Sequence, residues 1–216
     1  MAELLGRAGQ IEARLAAAIP APRVELDHGN ALELLVATIL AAQCTDERVN
    51  QVTSRLFRRF RRAQDYLDVA PEELEEEVRE TGFFRQKARS IRGVMEALVA
   101  DFAGEVPADM ASLTSLPGVG RKTANVVLGA AFGVPGLIVD THVARVARRL
   151  GLTQQQDPAR IESELGRLLP EAQWTGFSQR LVLHGRYVCR ARRPACDECP
   201  LVDLCEHFRT EVATAP

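Results

Sequence analysis

Residues 116–124 read Leu116-Pro117-Gly118-Val119-Gly120-Arg121-Lys122-Thr123-Ala124. Ahead of them Met110, Leu113 and Leu116 recur at the spacing of a short amphipathic helix, and a second helix is predicted to start at about Arg121. Gly118 and Gly120 flank one apolar residue, which lets the turn between the helices present consecutive backbone N–H groups at a helix N-terminus, where a phosphate oxygen is favoured. Val119 is placed to plug the crossing of the two helices. This order of elements is a helix-hairpin-helix, a module that grips the DNA backbone without reading sequence. The plainer alternative is a tight turn between two core helices, but Pro-Gly-x-Gly followed by Arg-Lys is more specific than a lone glycine pair.

Outward from this hairpin the helical period repeats, at Leu32, Leu35, Val36 and Ile39, at Val49, Val52, Leu56 and Phe60, and at Ile91, Val94, Met95 and Leu98. It returns at Val143, Val146, Ala147 and Leu150, at Ile161, Leu165 and Leu168, and at Phe177, Leu181, His184 and Val188. No comparable alternating stretch reads as strand, so the fold class is all-α. Proline and glycine clusters at 20–22, 104–107, 117–120 and 134–136 punctuate the helices. The 216 residues, 46% hydrophobic and 26% charged, exclude intrinsic disorder and suffice for a core without disulfides.

The opening MAELLGRAGQIEARL scatters Glu3, Arg7, Glu12 and Arg14 through its apolar residues and builds no secretory leader. Glycines and a proline interrupt the apolar run Val126 to Val139, which falls short of the roughly 20 residues of a membrane span. The expectation is a cytoplasmic protein with no membrane partner, whose five cysteines serve as ligands or nucleophile.

A net charge of -2 argues against a generic polycation, but the charge is sorted along the chain. Arg55, Arg58, Arg59, Arg61 and Arg62 are followed at once by an acidic stretch from Asp65 to Glu80. Further basic runs stand at Arg85, Lys87, Arg89 and Arg92 and at Arg186, Arg190, Arg192 and Arg193. The bland reading of each is a solvated helix face. The 190–193 run differs because it lies inside a cysteine cluster, where a loop is held rigid.

Lys122 falls in the first turn of the hairpin's second helix. It can contact phosphate as a simple cation. To act as a nucleophile a lysine must be neutral, which costs about 4 kcal/mol for an ordinary ammonium at neutral pH. A helix terminus supplies about 0.3–1 kcal/mol of that; desolvation or a neighbouring base must supply the rest. Asp140, in Val139-Asp140-Thr141-His142-Val143-Ala144-Arg145, stands just before a helical pattern, where aspartate is an N-cap worth about 1 kcal/mol. A capping carboxylate still has a second oxygen to offer. A direct ion pair would keep Lys122 charged, so the two groups are expected to face a shared substrate instead of each other.

Cys189, Cys196, Cys199 and Cys205 are spaced C-x6-C-x2-C-x5-C, with Pro194 and Pro200 breaking any helix between them. Four thiolates this close in a reducing compartment mean a metal site, and tetrahedral zinc and a [4Fe-4S] cluster are both compatible with the spacing. Cys44, on a predicted helix far from the others, reads as a small buried residue.

Taken in order, these segments resemble the endonuclease III family of helix-hairpin-helix DNA glycosylases. The resemblance runs from about Leu15 to Phe208 and rests on Ala41-Ala42-Gln43-Cys44-Thr45-Asp46, Thr81-Gly82-Phe83-Phe84, Leu116 to Val127, Val139 to Val143, Leu183 to Cys189 and the cysteine spacing. It implies two helical domains with DNA bound in the cleft between them. One is a six-helix barrel over 23–134 holding the helix-hairpin-helix at about 110–132; the other is a cluster domain made of 1–22 and 135–216. It implies a [4Fe-4S] cluster on the four cysteines. It implies base excision repair by a DNA glycosylase with AP lyase activity, acting as a monomer on double-stranded DNA that carries oxidised or ring-saturated pyrimidines or abasic sites. Lys122 then becomes the nucleophile that attacks C1′, and Asp140 the carboxylate that assists base departure.

Gly118, Gly120, Arg190, Arg192 and Arg193 would hold phosphates, and His142 would contact lesion or phosphate unless it is a satisfied interface histidine. Gln43 matches the residue that fills the gap left by the extruded base, and Phe83 the wedge. This chain departs from the family with Phe83 where leucine is usual, Phe84 where tyrosine is frequent and Cys44 where alanine is familiar, which leaves lesion and opposite-base preference open. Core packing is the alternative for Phe83 and Phe84. Two other readings compete. One is a monofunctional adenine-mismatch glycosylase, against which stand Lys122 and the absence of a mismatch-reading C-terminal domain before Pro216. The other is a non-catalytic DNA-binding module with a structural metal.

Overall fold

In the computed structural model, which describes residues 2–212, the helices run α1 (Ala2–Ala18), α2 (Ala31–Leu40), α3 (Asp46–Arg59), α4 (Pro71–Glu77), α5 (Phe84–Asp101), α6 (Met110–Ser115), α7 (Arg121–Ala131), α8 (Thr141–Arg149), α9 (Pro158–Gly166) and α10 (Trp174–Tyr187). Short 3₁₀ turns fill several connections, and the described residues contain no strand. The starts are written in the sequence. Asn30, Thr45, Asp109, Asp140 and Asp157 each cap the helix that follows with a side-chain oxygen, and Pro71 and Pro158 occupy first turns. No helix among the described residues is long and apolar enough to cross a membrane.

The chain divides into two compact units, 24–134 and a second made from 1–23 with 135–216. In the 24–134 unit, α2 is apolar nearly all round, which fits an interior helix. It packs on α3, α5 and α7 and buries Leu34, Leu35, Val36 and Leu40. The α5 face Ile91, Val94, Met95 and Leu98 is fully buried, and Phe60 stacks on Tyr66 with ring centroids 4.8 Å apart.

The basic and acidic runs of this unit face each other across elements. Arg48 and Arg55 both pair with Glu80; Arg59 pairs with Glu73 and Glu77, Arg62 with Asp65, Arg79 with Glu76 and Arg85 with Glu75. The charge that cancels in the total therefore cancels in space, and the Arg55–Arg62 run is not simply a solvated basic face. Such solvent-exposed pairs each contribute little to stability.

The second unit is built on α1, α8, α9 and α10. Its core joins Ala8, Ile11 and Leu15 of α1 to Val143, Val146 and Ala147 of α8, Ile161 and Leu165 of α9, and Phe177 and Leu181 of α10. Polar bonds fix α1 to the rest of the unit. Arg14 donates to the Pro200 carbonyl at 3.1 Å and pairs with Asp203; Arg180 pairs with the buried Glu12 at 2.8 Å and donates to the Ile19 carbonyl. Burial pushes the Glu12 carboxyl above its ordinary range, an effect opposed by Arg180.

Candidate functional site

Within the 24–134 unit, the buried Leu116 follows the end of α6 as its C-cap, and the Val119 amide donates to the Leu116 carbonyl at 3.1 Å to close the turn. Gly118 sits at φ 76°, in the left-handed region that favours glycine. Val119 is 4% exposed and does plug the crossing. Gly120 is the N-cap of α7 and offers no side-chain oxygen, so the first amides of α7 have no cap within the hairpin. A methyl group built on either glycine would meet no atom within 4 Å, which leaves the backbone open to approach. Pro117 rests on α5 at Gly93. Lys122 stands exposed in the first turn of α7.

Two loops of the same unit carry Gln43 and Phe83. Gln43 lies in the turn after α2 at φ 54°, and Phe83 lies just before α5 at φ 48°, both left-handed. Gln43 is exposed and Phe83 is 67% exposed, which excludes Phe83 from the core. Phe84 is not core either: it is half-buried, with the guanidinium groups of Arg79 and Arg85 over its ring at 5.1 and 5.4 Å. Cys44, expected buried on a helix, is half-buried in the turn, because α2 has already ended at Leu40.

The basic run that begins at Arg85 is partly internal. Lys87 is 4% exposed and donates from Nζ to the Leu40 carbonyl at 2.8 Å and the Thr81 carbonyl at 2.7 Å; Arg92 donates to the Tyr66 and Val69 carbonyls. Burial pulls the Lys87 ammonium below its usual range.

In the second unit Asp140 is half-buried at the head of α8, and its Oδ1 accepts from both the His142 and Val143 amides at 2.8 Å. Oδ2 makes no hydrogen bond among the described residues, so one oxygen locks the cap and the other is not engaged by it. His142 is half-buried beneath α10, its Nδ1 3.3 Å from Arg145 Nη2.

Two arginines of α8 are anchors that sequence reasoning missed. Arg145 donates to the Gly185 carbonyl at 2.8 Å and, from Nη2, to the Cys189 carbonyl at 3.1 Å; burial draws its guanidinium below the usual value. Arg149 donates to the Arg190 and Ala191 carbonyls at 2.8 Å and reaches Cys189 Sγ at 3.4 Å. The available signal was their spacing, four residues apart inside the apolar period of the helix.

Cys189, Cys196, Cys199 and Cys205 line one pocket with Val146, Leu150 and His184. None is in a disulfide. His184 is buried, held neutral with its pKa brought down to about 4, and its Nε2 lies 3.7 Å from Cys199 Sγ. Burial pushes the Cys199 thiol up to about 11, and a bound metal favours the deprotonated form of such a thiol. Four thiols share one cavity, a donor set that suits tetrahedral zinc or an iron–sulfur cluster. Arg190, Arg192 and Arg193 are exposed on the loop between the first two cysteines.

Comparison with known proteins agrees with this geometry. Residues 36–171 match the HhH-GPD superfamily base excision DNA repair protein family, and residues 189–205 match the iron-sulfur binding domain of endonuclease III. The chain is 50% identical over 206 residues to an endonuclease III of Synechocystis, covering 95% of this chain and 94% of that one. It is 48% identical over 187 residues to that of Bacillus subtilis, covering 86% and 85%. A solved structure of a trapped endonuclease III–DNA covalent intermediate superposes with a TM-score of 0.90 at 44% identity, covering 95% of this chain and 98% of that one.

Proposed function

Because the chain belongs to the endonuclease III family of HhH-GPD base excision DNA repair proteins, we propose that Lys122 and Asp140 carry the reaction, on pyrimidine lesions in duplex DNA. The protein is a base excision repair DNA glycosylase and AP lyase, and its cofactor is a [4Fe-4S] cluster. The observation that carries the residue assignment is Lys122 itself, an exposed amine with no hydrogen bond or ion pair among the described residues, one residue beyond the start of α7.

Lys122 Nζ donates its electron pair to C1′ of the damaged nucleotide as the bond from C1′ to the base breaks and the base leaves with those electrons. The nitrogen then loses a proton and the sugar ring opens to an imine. Loss of a C2′ proton expels the 3′ phosphate, and water hydrolyses the imine to return the lysine. Since Lys122 is exposed to water in the free protein, the dry surroundings a neutral amine prefers must arrive with the nucleotide. Asp140 Oδ2 stabilises positive charge on the sugar as the base departs and relays protons, while Oδ1 keeps the carboxylate aimed.

The open backbone at Gly118 and Gly120 and the side chains of Arg190, Arg192 and Arg193 hold phosphates. Gln43 fills the gap left by the extruded base and Phe83 is the wedge, since inserted apolar side chains unstack base steps; the His142 side chain contacts the lesion or its phosphate, while its backbone amide holds Asp140 Oδ1. Cys189, Cys196, Cys199 and Cys205 hold the cluster, which when bound cross-links four points of the chain through iron–sulfur bonds. In this reading 24–134 is the barrel domain, the second unit is the cluster domain, and the protein works as a monomer.

The test is borohydride trapping on duplex DNA containing a ring-saturated pyrimidine. A covalent adduct is expected with the wild type and not with Lys122→Gln. Equal trapping of both would sink the assignment of Lys122. Asp140→Asn should slow base release with the visible absorbance of the cluster retained.

A further inference from the structure

Gln43 and Phe83 lie 40 positions apart in sequence on separate loops, yet one buried side chain is bonded at the base of both. Lys87 projects from the first turn of α5. Its Nζ donates to the Leu40 carbonyl, the last residue of α2 before the Gln43 turn, and to the Thr81 carbonyl, two residues before Phe83. Its backbone amide donates to the Phe83 carbonyl at 3.0 Å.

The two loops share a second peculiarity. Only three non-glycine residues among those described have positive φ, and two of them are Gln43 and Phe83. Side chains in that region persist where the surroundings over-determine them. An ammonium buried against two carbonyls is such a constraint, because each charged N–H···O bond fixes the end of the element that feeds its loop.

We propose that Lys87 is a positioning residue that locks the Gln43 and Phe83 loops in one register, so that both side chains enter the duplex together and extrusion of the nucleotide depends on it. The proposal rests on the reading of Gln43 and Phe83 as the inserting residues. Lys87 touches neither DNA nor the reacting atoms. Its effect falls on opening the stack and leaves the steps at C1′ alone.

The test compares single-turnover excision of one ring-saturated pyrimidine in two settings, paired in a duplex and unpaired in a bubble where no stack has to be opened. Lys87→Met should slow the duplex reaction by about 10-fold to 100-fold, the scale of an ångström misplacement, and leave the unpaired reaction unaffected within error. Equal loss on both substrates, or none on the duplex, overturns the proposal. A merely structural weakening would lower both alike. If Lys87→Met does not fold, Lys87→Gln, whose amide nitrogen stops one bond short of the Nζ position and cannot hold both carbonyls, carries the comparison with the same duplex-specific loss expected. Gln43→Ala/Phe83→Ala tests the underlying reading separately. That double variant should show the same duplex-specific loss, and adding Lys87→Met to it should cost nothing more. A double variant with normal duplex excision defeats the insertion reading; a further loss on adding Lys87→Met defeats the route through these two side chains.

Discussion

Gly185 of α10 lies directly against His142 of α8: a methyl group built on Gly185 would come within 2.9 Å of the His142 Cβ and 3.1 Å of Val146 Cγ2. The crossing of these two helices is therefore set by a missing side chain. Gly185→Ala should destabilise the protein by about 1–3 kcal/mol, the usual cost of overpacking, and should move the helix that Asp140 caps. Urea denaturation checks the first effect. Excision falling more than DNA affinity would check the second.

Arg149 ties α8 to the loop that starts the cysteine cluster, through two carbonyls and the Cys189 sulfur. Arg149→Met keeps the aliphatic packing and removes these bonds. Bleaching of the cluster absorbance in air or chelator should then accelerate several-fold, with the far-ultraviolet helical signal retained. Unchanged bleaching would mean that the loop is held by the iron–sulfur bonds alone.

Gly118 and Gly120 make different demands. Gly118 is at φ 76°, so Gly118→Ala should cost about 1 kcal/mol of stability in addition to DNA affinity. Gly120 is at φ −88° with open space around it, so Gly120→Val should lower stability much less while obstructing phosphate approach. Anisotropy on undamaged duplex across a salt series, beside thermal melts, separates the two. Equal behaviour of the variants would argue against backbone recognition at the hairpin.

Acid should destabilise the fold from an identifiable group of carboxylates. Glu80 is held below the ordinary 4.5 by its bond from Arg55, Glu164 by bonds from Thr153 and Gln155, and Asp109 below 3.8 by the Ser112 amide. A carboxyl whose folded pKa is depressed adds stability above its ordinary pKa, and that stability is lost as pH falls through the folded value. Urea midpoints should therefore fall once pH drops below about 4.5, and Glu80→Gln should flatten that limb. A limb unchanged in Glu80→Gln would assign the acid sensitivity to other groups.

The hairpin, the four cysteines and the Asp140 cap were legible because each depends on spacing within a few residues. Gly118 needs its φ, Asp140 its two neighbouring amides, and the thiols their short loops, wherever the rest of the chain lies. Lys87, Arg145 and Arg149 were not legible as structural anchors because their acceptors are carbonyls up to 47 residues away, and a carbonyl leaves no mark in the sequence. The same blindness put Cys44 on a helix. Ala41, Ala42 and Gln43 contain no helix breaker, and the stop after Leu40 comes with a left-handed Gln43 and the distant ammonium of Lys87. Likewise the pairing of α3 arginines with the acids beyond them is a tertiary fact that composition could only total.

The bond from Arg14 to Asp203 spans 189 residues, and it sets a timetable for the newborn chain. At a synthesis rate of about 5–20 residues per second, the α1 helix leaves the ribosome on the order of ten seconds or more before its partners do. The 24–134 unit, which falls in sequence between the two segments of the other, is synthesised in the interval. The apolar stripe of Ala8, Ile11 and Leu15 is thus synthesised well before the residues of α8, α9 and α10 that cover it.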